Sequence, residues 1–256
     1  MFNTNTNSIM VETVQVDDEG HFFEDGDCLI PGLRSMGSRV QMTFTKPAGA
    51  MTGKLLPTGR PMDTILLESK LGEEPTPVKI SAVDSANPFV FVDATTLPKS
   101  YHEQGPSSDA SFELIENVRR QAAVMMSLAG SAEEASKTRG TPKIAVLKEP
   151  AADDPSEIQV LAYSMGKVHG SLQLTGAVCL GTAACTEGTL AHAIRHQSAS
   201  AKKCSEQIPG VEEIKLRHPG GEMDVKVNLS PNGQVDGVAV FRTARRLFEG
   251  TVYYLQ

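Results

Sequence analysis

Residues 167–184 read KVHGSLQLTGAVCLGTAA, a stretch in which Gly, Ala, Ser, Thr and Cys surround Leu172, Leu174, Val178 and Leu180, and Lys167 is the one full charge. A surface helix needs a polar face, whereas a helix without one is buried on every side, and small residues let neighbouring backbones approach it closely. The stretch therefore predicts a buried central helix over 167–184 with other elements packed all round it.

Those other elements read mainly as strands. Residues 9–16 are rich in β-branched side chains and run into the turn Asp17-Asp18-Glu19-Gly20. Val40, Met42 and Phe44 alternate with Gln41 and Thr43, the pattern of a half-buried strand. Short apolar runs at 78–83, 89–92, 144–147 and 158–162 have strand composition, and 214–216, 223–229, 235–241 and 247–254 read as a terminal meander with turns between. Residues 109–129 follow helical spacing after a Ser107-Ser108-Asp109 cap, with Gly130 as the expected stop. The stretches 130–142 and 197–210 read as surface connections. Strands around a buried helix predict an α+β fold.

Charge and cysteine usage narrow the function. With 24 Lys+Arg against 31 Asp+Glu, the chain carries a net charge of −7, which leaves no electrostatic footprint for nucleic acid. An anionic ligand would need a local pocket of basic side chains and backbone amides. Cys28, Cys179, Cys185 and Cys204 form no C-x-x-C pair and read as reduced thiols, so neither a zinc site nor a disulfide framework is expected. Cys179 and Cys185 lie six apart, roughly 240° round a helix, and suit packing and not a shared ligand. His192 and His196 are four apart but lack a third ligand, so no metal is expected. The start MFNTNTNSIM has no basic and apolar leader, and no run of about 18 apolar residues occurs, so no membrane partner and a cytoplasmic location are expected.

Three short stretches suit anion binding. GAMTGKLLPTG at 49–59 lacks the order of a nucleotide-binding P-loop, but Lys54 and Thr58 between Gly53 and Gly59 offer an ammonium, a hydroxyl and accessible amides for a carboxylate; the same residues would equally make a solvated turn. Met165, Lys167 and His169 lie where the buried helix is expected to begin, and free amides at such a start attract anions. His218-Pro219-Gly220-Gly221 reads as a tight turn whose amides complete a nest or simply join two strands. Arg242, Arg245 and Arg246 read as ion-paired structural residues.

Taken together, NTNT at 3–6, GKLLPTG at 53–59, VDSANPFVFV at 83–92, SMGKVHGSLQLTGAVCLGTAACTEGT from Ser164, RHPGGEMDV from Arg217 and RTARRLFEGTVYY from Arg242 resemble the PrpF-like isomerases. The resemblance implies a diaminopimelate-epimerase-like fold: two similar lobes, each a β-barrel-like sheet wrapped round a central helix, with the active site between them. It implies cofactor-free movement of a proton, and with it a double bond, in an unsaturated di- or tricarboxylic acid, as in methylaconitate, aconitate and methylitaconate isomerisation or oxalomesaconate tautomerisation. The match falls on the family's second, C-terminal lobe. Residues 1–40 would be the end of the first lobe and crossover strands, 41–241 the second lobe, and 242–256 a C-terminal strand segment. The substrate-binding residues implied are Gly53, Lys54, Thr58, Gly59, Met165, Lys167, His169, His218, Gly220 and Gly221. Gly221 stands where the family commonly has serine. The family's lysine and cysteine acid/base pair belongs to GGTSKG and GNCGN motifs that this sequence does not contain, so no catalytic residue is assigned. The alternative is a truncated non-catalytic carboxylate-binding homologue or accessory lobe, and a homodimer is left open.

Overall fold

The structure is a computed structural model that describes residues 1–4, 6–33, 35–68, 75–198 and 208–254. In chain order its strands and helices are β1 (Phe2–Asn3), β2 (Ser8–Thr13), β3 (Arg39–Thr45), β4 (Asp63–Leu67), β5 (Thr76–Ser85), β6 (Asn87–Asp93), α1 (Lys99–Gln104), α2 (Asp109–Met125), α3 (Ala132–Lys137), β7 (Lys143–Lys148), β8 (Ile158–Ser164), β9 (Lys167–Val168), α4 (Leu174–Ala184), α5 (Leu190–Gln197), β10 (Val211–His218), β11 (Gly221–Leu229) and β12 (Val235–Thr243). The strands hydrogen-bond into one sheet of order β1-β2-β3-β12-β11-β10-β8-β7-β6-β5-β4, with β9 paired to β8.

This sheet curls round α4, as the fold expectation required. Residues 176–184 of the helix are all buried. The inward rows of the strands meet them: Phe89, Leu147, Val160, Ile214, Leu216, Val225, Val227, Val238 and Val240 share one cluster with Ala177, Val178, Leu180 and Ala183. The small residues set the spacing. A Cβ at Gly181 would stand 2.7 Å from Val225, and one at Gly176 2.7 Å from Phe89, so any side chain there would push the wall away. A second cluster fills the other face of the sheet, where Ile115, Val118, Ala122 and Met126 of the α2 region pack on Ile65, Val78, Ile80, Val92 and Val146. The architecture is α+β, diaminopimelate-epimerase-like, with a sheet wrapped round a central helix.

Several boundaries depart from the expectations. The central helix begins at Leu174 and not at 167, because Lys167 and Val168 pair with Ser164 and Tyr163 across a turn at Met165 (φ 52) and Gly166 (φ 78). Helix α2 stops at Met125, four residues early, because Ser127 (φ 59) takes the left-handed conformation expected of Gly130. The stretch 130–142 contains α3, capped by the Ser131 side chain on Glu134 N–H. Of the stretch 197–210, residues 199–207 lie outside the described residues. The expected C-terminal strand over 247–254 is not formed: β12 ends at Thr243, and Leu247, Phe248, Val252, Tyr253 and Tyr254 are exposed and pair with no strand among the described residues. At the other end, β2 extends the same sheet, bonded to β3 from Met10↔Phe44 to Thr13↔Gln41.

Candidate carboxylate-binding site

Side chains on a strand alternate between faces, so the inward row of each strand can be followed to the end of the barrel. On β10 the row Ile214, Leu216 ends in His218; on β12 the row Val238, Val240 ends in Arg242. Register places these ends together: His218 pairs with Gly221, Leu216 with Met223, and Arg242 with Val40. The apolar lining of the barrel thus gives way to an imidazole and a guanidinium at one mouth.

That mouth is also where α4 begins. A Cβ at Gly220 would stand 3.0 Å from Gly170 O, so the His218–Gly221 turn lies against the segment that leads into the helix. His169 Nδ1 sits 2.8 Å from Ser171 O and 3.1 Å from Ser171 N. At the N-cap, Gln173 makes no side-chain capping bond, and its amide oxygen and nitrogen are buried without a partner among the described residues. The first helical N–H groups at this end are free of intrahelical acceptors by construction.

A cleft of about 450 Å³ opens here, lined by Ser171, His218, Met223 and Arg242 at the mouth and by Arg39, Phe241, Glu222, Asp224 and the 27–31 segment on the outer side. His218 is 4% exposed, and its Nδ1 accepts the Gly220 N–H at 3.1 Å. With Nδ1 engaged as acceptor, the neutral ring carries its proton on Nε2, which has no partner among the described residues. Burial lowers the His218 pKa, and Arg242, His169 and Arg217 lower it further, so the ring is a neutral donor at pH 7. Arg242 is half-buried, and burial lowers its pKa too; its Nη1 donates to Phe241 O at 3.1 Å, and among the described residues it has no acidic partner. A buried guanidinium without a counter-ion favours an anionic ligand.

The 49–59 loop is also an anion cradle, but its anion is the protein's own. Asp84 is fully buried, and its Oδ2 accepts from Met51 N (2.8 Å), Thr52 N (2.6 Å) and Thr52 Oγ1 (2.8 Å). Thr58 Oγ1 donates to Asp63 Oδ2 at 2.6 Å, and Arg60 pairs with Asp63 at 2.7 Å. Gly53 (φ 76) and Gly59 (φ 77) do adopt the left-handed backbone, which tightens the loop on these internal partners. Lys54 is exposed and free of ion pairs among the described residues. The loop lies beside Asp84 and Ser85, whose hydroxyl bonds Thr182 at 2.7 Å in the last turn of α4. The histidines stand before its first turn, about 16 Å away for an eleven-residue helix.

The ten residues implied to bind substrate therefore do not share one space in the structure. It brings His169, His218, Gly220 and Gly221 together at the mouth, and sets Gly53, Lys54, Thr58 and Gly59 at the opposite end of α4. Met165 (64% exposed) and Lys167 belong to the β8–β9 turn and not to a helix start. Gly221 has a local reason to lack a hydroxyl: at φ 133, a Cβ would stand 2.5 Å from Pro31 Cβ. The residues that sequence reasoning missed are Arg39 and Arg242. For Arg242 the signal was present, since it continues the alternation of Val238 and Val240. Burial pushes the Cys179 thiol well up and the Cys185 thiol up to about 12, as suits packing groups.

The sequence profile described as "PrpF protein" matches residues 1–255. The chain belongs to the PrpF family. Among PrpF relatives, the 3-methylitaconate isomerase of Eubacterium barkeri is 30% identical over 267 residues, covering 98% of this chain and 65% of that protein. The 4-oxalomesaconate tautomerase of Pseudomonas putida is 28% identical over 255 residues, covering 98% and 63%. The crystal structure of a methylitaconate-delta-isomerase superimposes with a TM-score of 0.77 at 27% identity, over 98% of this chain and 64% of that one. This PrpF chain thus spans about 65% of the length of the curated relatives it matches. A family match from residue 1 to 255 lends no support to the non-catalytic alternative. No helix among the described residues is long and apolar enough to cross a membrane.

Proposed function

We propose that this PrpF chain serves an isomerase that shifts a proton, and with it a double bond, in an unsaturated di- or tricarboxylic acid, and that the mouth of the barrel holds one substrate carboxylate. The observation that carries this reading is the half-buried Arg242 guanidinium without an acidic partner among the described residues, beside the unpartnered Nε2 of His218 in one cleft. The named activities of its relatives, methylitaconate isomerisation and oxalomesaconate tautomerisation, give the substrate class.

The chemistry follows from the substrate. Removing a proton from the carbon between a carboxylate and a double bond spreads negative charge into the carboxylate as an enolate-like anion, and returning the proton at the far end of the conjugated system moves the double bond. Donors held where that charge grows lower the barrier. Arg242 and the His218 Nε2–H are such donors. No acid/base pair is assigned, and GGTSKG and GNCGN are absent from the 256 residues, so the chain alone is expected to bind such acids and to exchange their protons negligibly.

The test is a pair of NMR measurements on purified protein. Titration with cis-aconitate and itaconate should show saturable binding that Arg242→Ala weakens by roughly ten- to a hundredfold, the loss of one charge-assisted contact. Absence of binding, or equal binding by the variant, would remove the cleft from the reaction. Deuterium uptake from D2O into the allylic position, catalysed by the 256 residues alone, would assign the proton transfer to groups within this chain.

A further inference from the structure

Arg39 starts β3 with Thr243 as its cross-strand neighbour, one residue past Arg242. It points to the outer side of the cleft, where its guanidinium carbon lies 3.6 Å from the centroid of the Phe241 ring. Phe241 is 8% exposed, so the ring is a fixed platform. A guanidinium over an aromatic face gains cation–π attraction while its N–H groups stay available for a carboxylate. The backbone beneath Arg39 is tied down as well: Gly37 and Cys28 exchange two N–H···O bonds, Ser38 N donates to Glu24 O at 2.9 Å, and Ser38 Oγ donates to Gln15 at 2.9 Å. Among the described residues Arg39 has no ion pair, although Asp27 and Asp224 line the same side of the cleft.

We propose that Arg39 is a specificity-determining residue that holds the second carboxylate of the substrate, making the cleft select acids with two carboxylates over acids with one. This rests on the reading that the cleft binds unsaturated carboxylic acids. Arg242 and Arg39 come from neighbouring strands and stand on the inner and outer sides of one cavity, so an acid that spans it meets one guanidinium at each end. Asp27 and Asp224 strengthen the selection, because a carboxylate on the outer side that misses Arg39 meets their like charge.

Itaconate and methacrylate share a 2-methylidene carboxylate and differ by one carboxylate arm, which makes them the probes. In NMR titrations the unaltered protein should prefer itaconate by about ten- to a hundredfold, the value of one charge-assisted contact. Arg39→Ala should bring the preference to within about threefold while leaving the methacrylate Kd unchanged, and Arg39→Lys should restore part of it. Arg242→Ala, by contrast, should weaken both acids together. Arg39 is exposed and its contact is with the Phe241 ring, so both of its variants should stay folded, with only a small fall in the urea midpoint. If the unaltered protein binds neither acid, the carboxylate-cleft reading fails, and this proposal with it. If it binds both and Arg39→Ala keeps the itaconate preference, the cleft reading stands and the assignment of Arg39 is overturned.

Discussion

Two anion cradles stand at opposite ends of α4, and they differ in what fills them. At the C-terminal end the 49–59 loop closes on Asp84, so its donors already have their acceptor in the fold. At the N-terminal end Arg242, Arg39 and His218 line an open cleft with donor capacity unspent. A cluster of glycines, threonines and a lysine is therefore not evidence of ligand binding until its donors are traced to their acceptors. The loop's donors are spent on the fold, and those of the cleft are open to a ligand.

The strongest way to break this contrast is to empty the filled cradle. Asp84→Ala leaves Met51 N–H, Thr52 N–H and the Thr52 hydroxyl without their shared acceptor beside a buried site. Stranding these partly buried donors costs about 1–3 kcal/mol. The expected result is a large drop in the urea midpoint with an unchanged slope. A loss of stability below about 1 kcal/mol, read from midpoint and slope, would mean that the loop does not depend on Asp84 and is free to hold another anion.

What the sequence made legible divides along the same line. The body of α4 was readable because Gly176, Gly181 and the alanines around them allow no surface face, a property of the segment alone. Its start was not, because whether Lys167 and Val168 are helix or strand depends on Tyr163 and Ser164 being there to pair with them. The role of Asp84 was hidden for a similar reason: a carboxylate inside an apolar strand makes sense only when residues 51–52, more than thirty positions earlier, are known to fold over it. The turn 218–221 and His169 were legible as anion-friendly groups, but their partner Arg242 was read as an ion-paired residue. Following the inward row of β12 would have placed its guanidinium inside the barrel mouth.

A comparison of two cations sharpens the contrast with a smaller expected effect. Lys54 belongs to the filled cradle and projects into solvent, so Lys54→Ala should change the itaconate Kd by less than about twofold, against the ten- to hundredfold loss expected for Arg242→Ala. NMR titration of the two variants beside the parent protein decides it. A larger effect at Lys54 than at Arg242 would invert the assignment of the two ends and return the substrate carboxylate to the glycine loop.

The smallest effect expected is on pH dependence, and it bears on the open cradle alone. Burial holds the His218 pKa below the ordinary histidine value of about 6.5, and the positive charge of Arg242, together with His169 and Arg217, pushes the same way. Between the folded and unfolded values the unfolded chain binds more protons than the native one, so stability rises with pH across that window. The contribution is complete above about pH 6.5 and is lost as pH falls through the folded value. His192 is lowered as well, by burial first and then by His196, so the parent protein keeps a slope even without His218, and the difference between proteins is the quantity to read. His218→Gln removes the titrating group while keeping an oxygen that can accept the Gly220 N–H. Urea midpoints at pH 7.5 and 5.5 should fall less for the variant than for the parent. A dicarboxylate in the cleft should reduce the parent's fall, because an anion beside the ring favours its protonated form and raises its pKa. Equal falls in both proteins would mean that His218 is not held neutral at the mouth, and that its Nε2–H is not a standing donor for the substrate.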